Sequence, residues 1–219
     1  MCGRFTQFFT WAELAALYNP TNPLALNLRP SWNVAPTQDV GVIVPEPQGL
    51  VYTTMRWGLV PVWAKDTKIG AQCINARLET AATKPAFRAA WKARRCLIPA
   101  SGYYEWQTVN IDGKTQKQPF HITRADGVPL TFAGLWERWK DDMLSFTILT
   151  TAAGTATAAL HDRMPVMLDD VGMAAWLAGG DPIPSDAIEA QINYWPVARE
   201  VGKPAYNRPE CIKSLTENT

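Results

Sequence analysis

Histidine is scarce in this chain, with two in 219 residues, and the four cysteines stand far apart at positions 2, 73, 96 and 211. No pair of cysteines has C-x-x-C spacing, so a structural zinc site of the usual kind is not expected. A disulfide framework is equally unexpected in a chain of this size that opens on no secretory signal. No apolar run approaches the roughly 20 residues that a membrane helix needs. Net charge is also nearly absent: 21 Lys and Arg against 20 Asp and Glu leave +1. An anionic partner must then be held by a local basic patch, because no overall field would gather it. Internal repeats, low-complexity linkers and breaks in composition are lacking too. These absences point to a reduced, soluble, cytoplasmic protein of one domain over residues 1–219, needing no metal or cofactor.

What the chain does hold is apolar surface. Hydrophobic residues at 47% and charged residues at 19% fit a globular protein, and ten tryptophans are the oddity. At this length a core can form without staples. Tryptophan fills cores, but it also offers stacking faces to unpaired bases.

Thr10 and Glu13 make a capping box before Trp11, Leu14, Ala15 and Tyr18, so a helix is expected over 10–18. Residues 19–33 read as loop. Strands are expected at 40–44 and 50–57, followed by a long loop from Gly58 to Gly70. Thr83 caps a second expected helix over 83–94, with Pro85 in its first turn. Strands follow at 96–99, 103–109, 118–124, 130–139 and 144–151, with turns at Asp112-Gly113, Asp126-Gly127 and Asp141-Asp142. A short helix at 155–160 and a strand at 166–168 come next. Asp169 caps a helix to 178, Ser185 caps another to about 194, and a strand returns at 196–198. The tail is irregular from about 203. The expected fold is α+β: a mainly antiparallel, curved or barrel-like sheet with peripheral helices.

The second residue carries the chemistry of greatest interest. Cys2 lies in the opening run MCGRF, and loss of Met1 would leave it as the N-terminus. A terminal cysteine has an α-amine and a thiol on adjacent carbons. The amine can condense with an aldehyde to an imine, and the thiol can then close a thiazolidine ring. Many chains carry a small residue after Met1 with no such chemistry, so the other stretches must decide. Asn75, in NARLET at what reads as a loop-to-helix junction, can hold another group by donating and accepting at once, or can cap a helix. Arg77 suits a phosphate clamp or an ion pair with Glu79. Glu105 sits in the aromatic run GYYEW. Pointing inward it becomes an acid/base with a raised pKa, and pointing outward a plain solvated residue. His161 opens HDRMPVML and can move a proton or bind a phosphate or sugar oxygen. His121 lies mid-strand and reads as structural or exposed. Lys84, Arg88 and Lys92 recur every four residues and are extended by Arg94 and Arg95. The stripe is either a solvated helix face or a phosphate-facing one.

Together MCGRF, WNVAPTQ at 32–38, RWGLVPVWAKD at 56–66, NARLET, RRCLIPASGYYEW and HDRMPVML resemble the SOS-response-associated peptidase (SRAP) family of abasic-site processing proteins, from residue 2 to about 198. The resemblance implies binding of single-stranded DNA that carries abasic sites, including at junctions with duplex, and a thiazolidine crosslink through Cys2 that shields the lesion during the DNA damage response. It implies Cys2 as nucleophile and Asn75 as its positioner. Glu105 would assist ring opening and move protons, and His161 would steady the sugar and phosphate and help reversal. It also implies Arg4 and Arg77 on phosphates, and Pro36, Trp63 and Trp106 against flanking bases or sugars. Met1 removal would be the peptidase activity. Ala64 follows Trp63 where relatives place a second tryptophan, which removes one stacking face. A monomer is expected, in the cytoplasm and on the nucleoid when DNA-bound. Two competing functions remain open on sequence: a cysteine peptidase or N-terminal-nucleophile hydrolase using Cys2, and a non-covalent single-strand binding module.

Overall fold

A computed structural model describes residues 2–21, 28–111, 113–140 and 142–216. Five strands close on themselves. They are β3 (Asp39–Glu46), β4 (Gly49–Trp57), β6 (Arg95–Ala100), β9 (Leu130–Trp139) and β10 (Met143–Ala152), in the order β10-β4-β3-β6-β9, with β9 paired back to β10. All contacts around this barrel are antiparallel except β10 with β4. The first half of β10, to Ile148, pairs with β9. Its second half runs on between two short strands, β5 (Asn75–Arg77) and β11 (Arg163–Pro165). That overrun carries Asn75 and Arg163 to one end of the barrel.

A second sheet packs against it, in the order β12-β8-β7-β1-β2, antiparallel throughout. It contains β1 (Phe5–Gln7), β2 (Ser31–Val34), β7 (Gly102–Ile111), β8 (Lys114–Arg124) and β12 (Ile192–Pro196). Side chains alternate across each strand, so barrel strands feed two cores. Val42, Val44, Ile98, Phe132 and Phe146 join Phe5 and Tyr103 of the second sheet in one cluster. There the Phe5 and Trp57 rings meet at 4.9 Å and the Tyr103 and Phe132 rings at 5.9 Å, both edge to face. Ile43, Leu97, Ala133, Leu135 and Leu149 face the other way, toward α1 (Trp11–Tyr18), α3 (Arg88–Ala93) and α4 (Asp170–Leu177). Burying each such large side chain is worth about 1.5–3 kcal/mol. A third, smaller cluster of Tyr104, Val197, Val201 and Cys211 seats the C-terminal segment on the far face of β7.

The expected α+β, mainly antiparallel barrel-like class is the one found. The capping box at Thr10 is present, with the Glu13 N–H donating to Thr10 Oγ1 at 3.2 Å. Gly127 adopts φ +75, as the Asp126-Gly127 turn requires. The turns at 112–113 and 141–142 lie partly outside the described residues.

Several expectations need correction. The 83–94 helix shrinks to α3. Proline disfavours helical backbone in the residue before it, so Lys84-Pro85 forms turns and the helix begins after Phe87. Thr83 caps nothing; its hydroxyl donates to the Thr80 carbonyl. The helix from Ser185 ends at Glu189 as α5 (Asp186–Glu189), because Ile192 to Pro196 add a strand to the edge of β8. That strand takes the place of the one expected at 196–198. Residues 155–160 form turns instead of a helix. The strand expected at 166–168 sits three residues earlier as β11, leaving Met167 in an isolated bridge to Phe132. β1 and β2 are short strands where a terminus and a loop were expected. Among the described residues, no helix is long and apolar enough to cross a membrane.

Candidate active site

Cys2 lies at the entry to β1 with none of its surface exposed, in the cluster under Phe5 and Tyr103. Its carbonyl oxygen accepts a hydrogen bond of 2.7 Å from Asn75 Nδ2. Asn75 begins β5, paired with Ile148 of β10. It is a strand residue, contrary to the expected loop-to-helix junction. Its Oδ1 is buried and has no hydrogen-bond partner among the described residues. Burial pushes the Cys2 thiol far above its ordinary value, and the nearby Glu105 charge raises it further.

Glu105 points inward, 3% exposed. It shares a face of β7 with Tyr103, whose hydroxyl is also fully buried. Desolvation lifts the Glu105 carboxyl to about 7, against the pull of the amino-terminal charge and, more weakly, of the Trp106 N–H, while the Asp162 charge adds to the rise. The thiol and the carboxyl are thus buried electrostatic neighbours.

His161 is half-buried on the turn that enters β11. Its Nδ1 lies 3.0 Å from the Arg163 N–H and 2.7 Å from Asp162 Oδ1. One ring nitrogen cannot accept from the first and donate to the second together. Burial lowers the ring pKa more than Asp162 raises it. The neutral ring therefore accepts from Arg163 at Nδ1 and keeps its proton on Nε2. Arg163 is itself clamped: two bonds of 2.7 and 2.9 Å to the Glu79 carboxylate and one of 2.6 Å to the Thr150 carbonyl.

Residues 1–204 match the family model described as SOS response associated peptidase (SRAP). The chain belongs to this family. The abasic site processing protein YoqW of Bacillus subtilis is 38% identical over 228 residues, covering 98% of this chain and all of that one. YobE of the same organism, which carries the same description, is 39% identical over 182 residues, covering 81% and 82%. A protein of Bacteroides thetaiotaomicron solved by X-ray crystallography superposes with a TM-score of 0.77 at 23% identity, covering 97% of this chain and 99% of that one. That likeness concerns the fold.

The other candidate residues of this SRAP chain divide into inward and outward sets. Arg4 is spent internally, donating to Asn33 Oδ1 and the Val201 and Gly202 carbonyls at 2.8–2.9 Å. Its guanidinium anchors the C-terminal segment to β2. Trp106 points away from Glu105, since neighbours on a strand face opposite sides. It packs into the third cluster with Tyr104. Arg95 is buried, its guanidinium 4.1 Å from the Trp176 ring centre and 5.5 Å from that of Trp91. Arg94 pairs with Glu137 at 2.7 Å. Neither extends the basic stripe.

Lys84, Arg88 and Lys92 are exposed, though Lys84 stands before the helix and not on it. Arg77 is exposed at the end of β5, and Glu79 bonds to Arg163 in its place. Trp63 is 57% exposed, its indole N–H 3.4 Å from the Pro85 carbonyl. Pro36 is half-buried in the turn after β2. His121 is structural and not exposed: burial drives it to about 3, between the Tyr104 and Trp195 rings. Sequence reasoning passed over Arg163, Asp162 and Tyr103, although each stood inside a quoted motif, beside His161 or Glu105. Among the described residues no His, Cys, Asp and Glu group gathers closely enough to hold a metal.

Proposed function

We propose that this chain processes abasic sites in single-stranded DNA, including at junctions with duplex, by capturing the opened sugar as a thiazolidine on a mature N-terminal Cys2. Loss of Met1 by hydrolysis frees the α-amine. The amine nitrogen adds to the lesion's aldehyde carbon and the carbinolamine loses water to give an imine. Sγ then adds to the imine carbon, and the thiol proton ends on the ring nitrogen. Each step needs one proton moved over a short distance.

The observation that carries this reading is a buried Cys2 thiol within the field of a buried carboxyl near neutrality, while Asn75 holds the Cys2 carbonyl. The thiol is raised so far that a free thiolate is not populated. It must give up its proton as it attacks, and Glu105, at about 7, is matched to receive it and to protonate the departing hydroxyl. Such acid/base help is worth about 10²–10⁴ in rate. His161 offers Nε2–H to a sugar or phosphate oxygen. Arg77, Trp63, Lys84, Arg88 and Lys92 form the outward path for the strand, with Trp63 stacking a base. An abasic site has no base to unstack, so drawing its sugar out of the strand costs little. The chain acts as a monomer on DNA.

The test is a denaturing gel with an abasic oligonucleotide, beside an intact-mass measurement of the terminus. A stable adduct is expected only from protein that begins at Cys2. An adduct that survives Cys2→Ala, or that forms with Met1 retained, refutes the reading.

A further inference from the structure

The stretch LTTAAG at 149–154 ends β10 and opens the turn that delivers His161. The Ala153 N–H donates to the Asp162 carbonyl at 2.9 Å, closing a ring of residues whose inner bonds run from Ala158 to Gly154 and from His161 to Thr157. This turn is held at two points from outside. Gln107 of β7 donates from Nε2 to the Ala159 carbonyl at 2.9 Å. Glu189 of α5 accepts the Ala156 N–H on Oε1 at 2.8 Å, with Thr155 Oγ1 at 3.5 Å from the same oxygen. The Glu189 carboxyl lies so close over Gly154 that an added Cβ would stand 2.1–2.3 Å from it. The glycine is therefore the room the carboxylate needs, and its own φ is not in the left-handed region.

We infer that Glu189 is a positioning residue for His161, seating the 153–162 turn so that the imidazole meets the Arg163 N–H. The backbone of His161 hangs from Thr157 at 3.2 Å, and Thr157 is buried inside the turn. Without that acceptor the half-buried Ala156 N–H loses its partner within the fold. The turn relaxes to satisfy it and the ring leaves its seat. For the rate of capture this inference rests on the reading given above; for the placement of the ring it does not.

Having two histidines makes the test direct. Imidazole carbon-proton NMR signals of the full-length protein are followed through pH for the wild type, Glu189→Ala, Glu189→Gln and Gly154→Ala. The groups that act on His161 are the amino-terminal charge, Asp162, Lys117 of β8 and the Arg163 backbone, all left in place by these variants. In Glu189→Ala and Gly154→Ala the His161 midpoint is expected to rise toward the ordinary value of about 6.5 as the ring gains solvent. Glu189→Gln keeps an acceptor oxygen and is expected to titrate as wild type. Removal of a negative charge alone would lower the midpoint, so a fall in both Glu189 variants overturns the inference, as does no movement in Glu189→Ala. His121 is the internal control. In parallel, Glu189→Ala is expected to slow adduct formation or reversal beside wild-type His161 and to add nothing in a His161→Ala background. An equal further loss in both backgrounds also overturns it. A wild type that forms no adduct refutes the capture chemistry, while the NMR titration still decides the placement of the ring.

Discussion

Replacing Glu105 with Gln should make the protein more stable and less active, with both effects set by the same buried carboxyl. Burial lifts this group from 4.5 to about 7. Between those values the folded chain holds a proton that the unfolded chain releases, so stability falls as pH rises through the window. The sign follows from the raised pKa: the neutral carboxyl's contribution is fully present below about 4.5 and lost above about 7. A displacement of this size corresponds to about 3 kcal/mol. Glutamine keeps the shape and never ionises. At pH 8 the variant should melt about 6–12 °C above wild type, on a scale of about 2–4 °C per kcal/mol for a chain of this length. At pH 5 the difference should shrink to about a quarter of that. Adduct formation should meanwhile slow by about 10²–10⁴ and lose its inflection near pH 7. Thermal melts at the two pH values and single-turnover gels read both. A melting difference equal at pH 5 and pH 8 would show that the carboxyl is not held neutral by burial, and the proton-transfer role would fall with it.

Cys2→Ser, with its terminus processed, should still form an imine that borohydride traps, but no adduct that survives without the reductant; a stable unreduced adduct refutes ring closure through sulfur. Trp63→Ala should weaken binding of an intact single strand by about tenfold, in line with roughly 1–3 kcal/mol per stacked base, and leave the melting temperature unchanged. Arg77→Ala should reduce the slope of log affinity against log salt by about 0.7, and a slope equal to wild type would take Arg77 off the phosphate path. Arg95→Met should lower stability by about 2–4 kcal/mol, because it strips the Trp176 and Gly180 carbonyls of a charged donor and the two indoles of their cation; chemical denaturation measures it.

Much of the frame was legible along the chain. Strands such as β4, β9 and β10 announced themselves by length and β-branched content, and the Thr10–Glu13 box marked α1 because capping is a contact between near neighbours. β1, β2 and β12 were not legible. Each is short and takes its conformation from a neighbour's open edge, information that lies about 25 residues away for β2 and some 70 to 100 for β12 and for β1 on β7. The extension of the basic stripe failed for a related reason: Arg94 and Arg95 read as surface charges until Glu137 and the Trp91–Trp176 pair are seen to claim them.

Residue identity alone settled which groups can react: a cysteine next to Met1, one carboxyl in an aromatic strand, one histidine in a polar cluster. Their spacing along the chain, from 2 to 75 to 105 to 161, could say nothing of whether they meet. The barrel brought Asn75 onto Cys2, by running β10 past its closure so that β5 and β11 flank it beside the entry to β1. Whether Glu105 faced inward, and hence whether it titrates near 4.5 or near 7, was likewise a matter of burial. Desolvation is a property of what surrounds a group in space, and it is written nowhere in that group's own stretch of sequence.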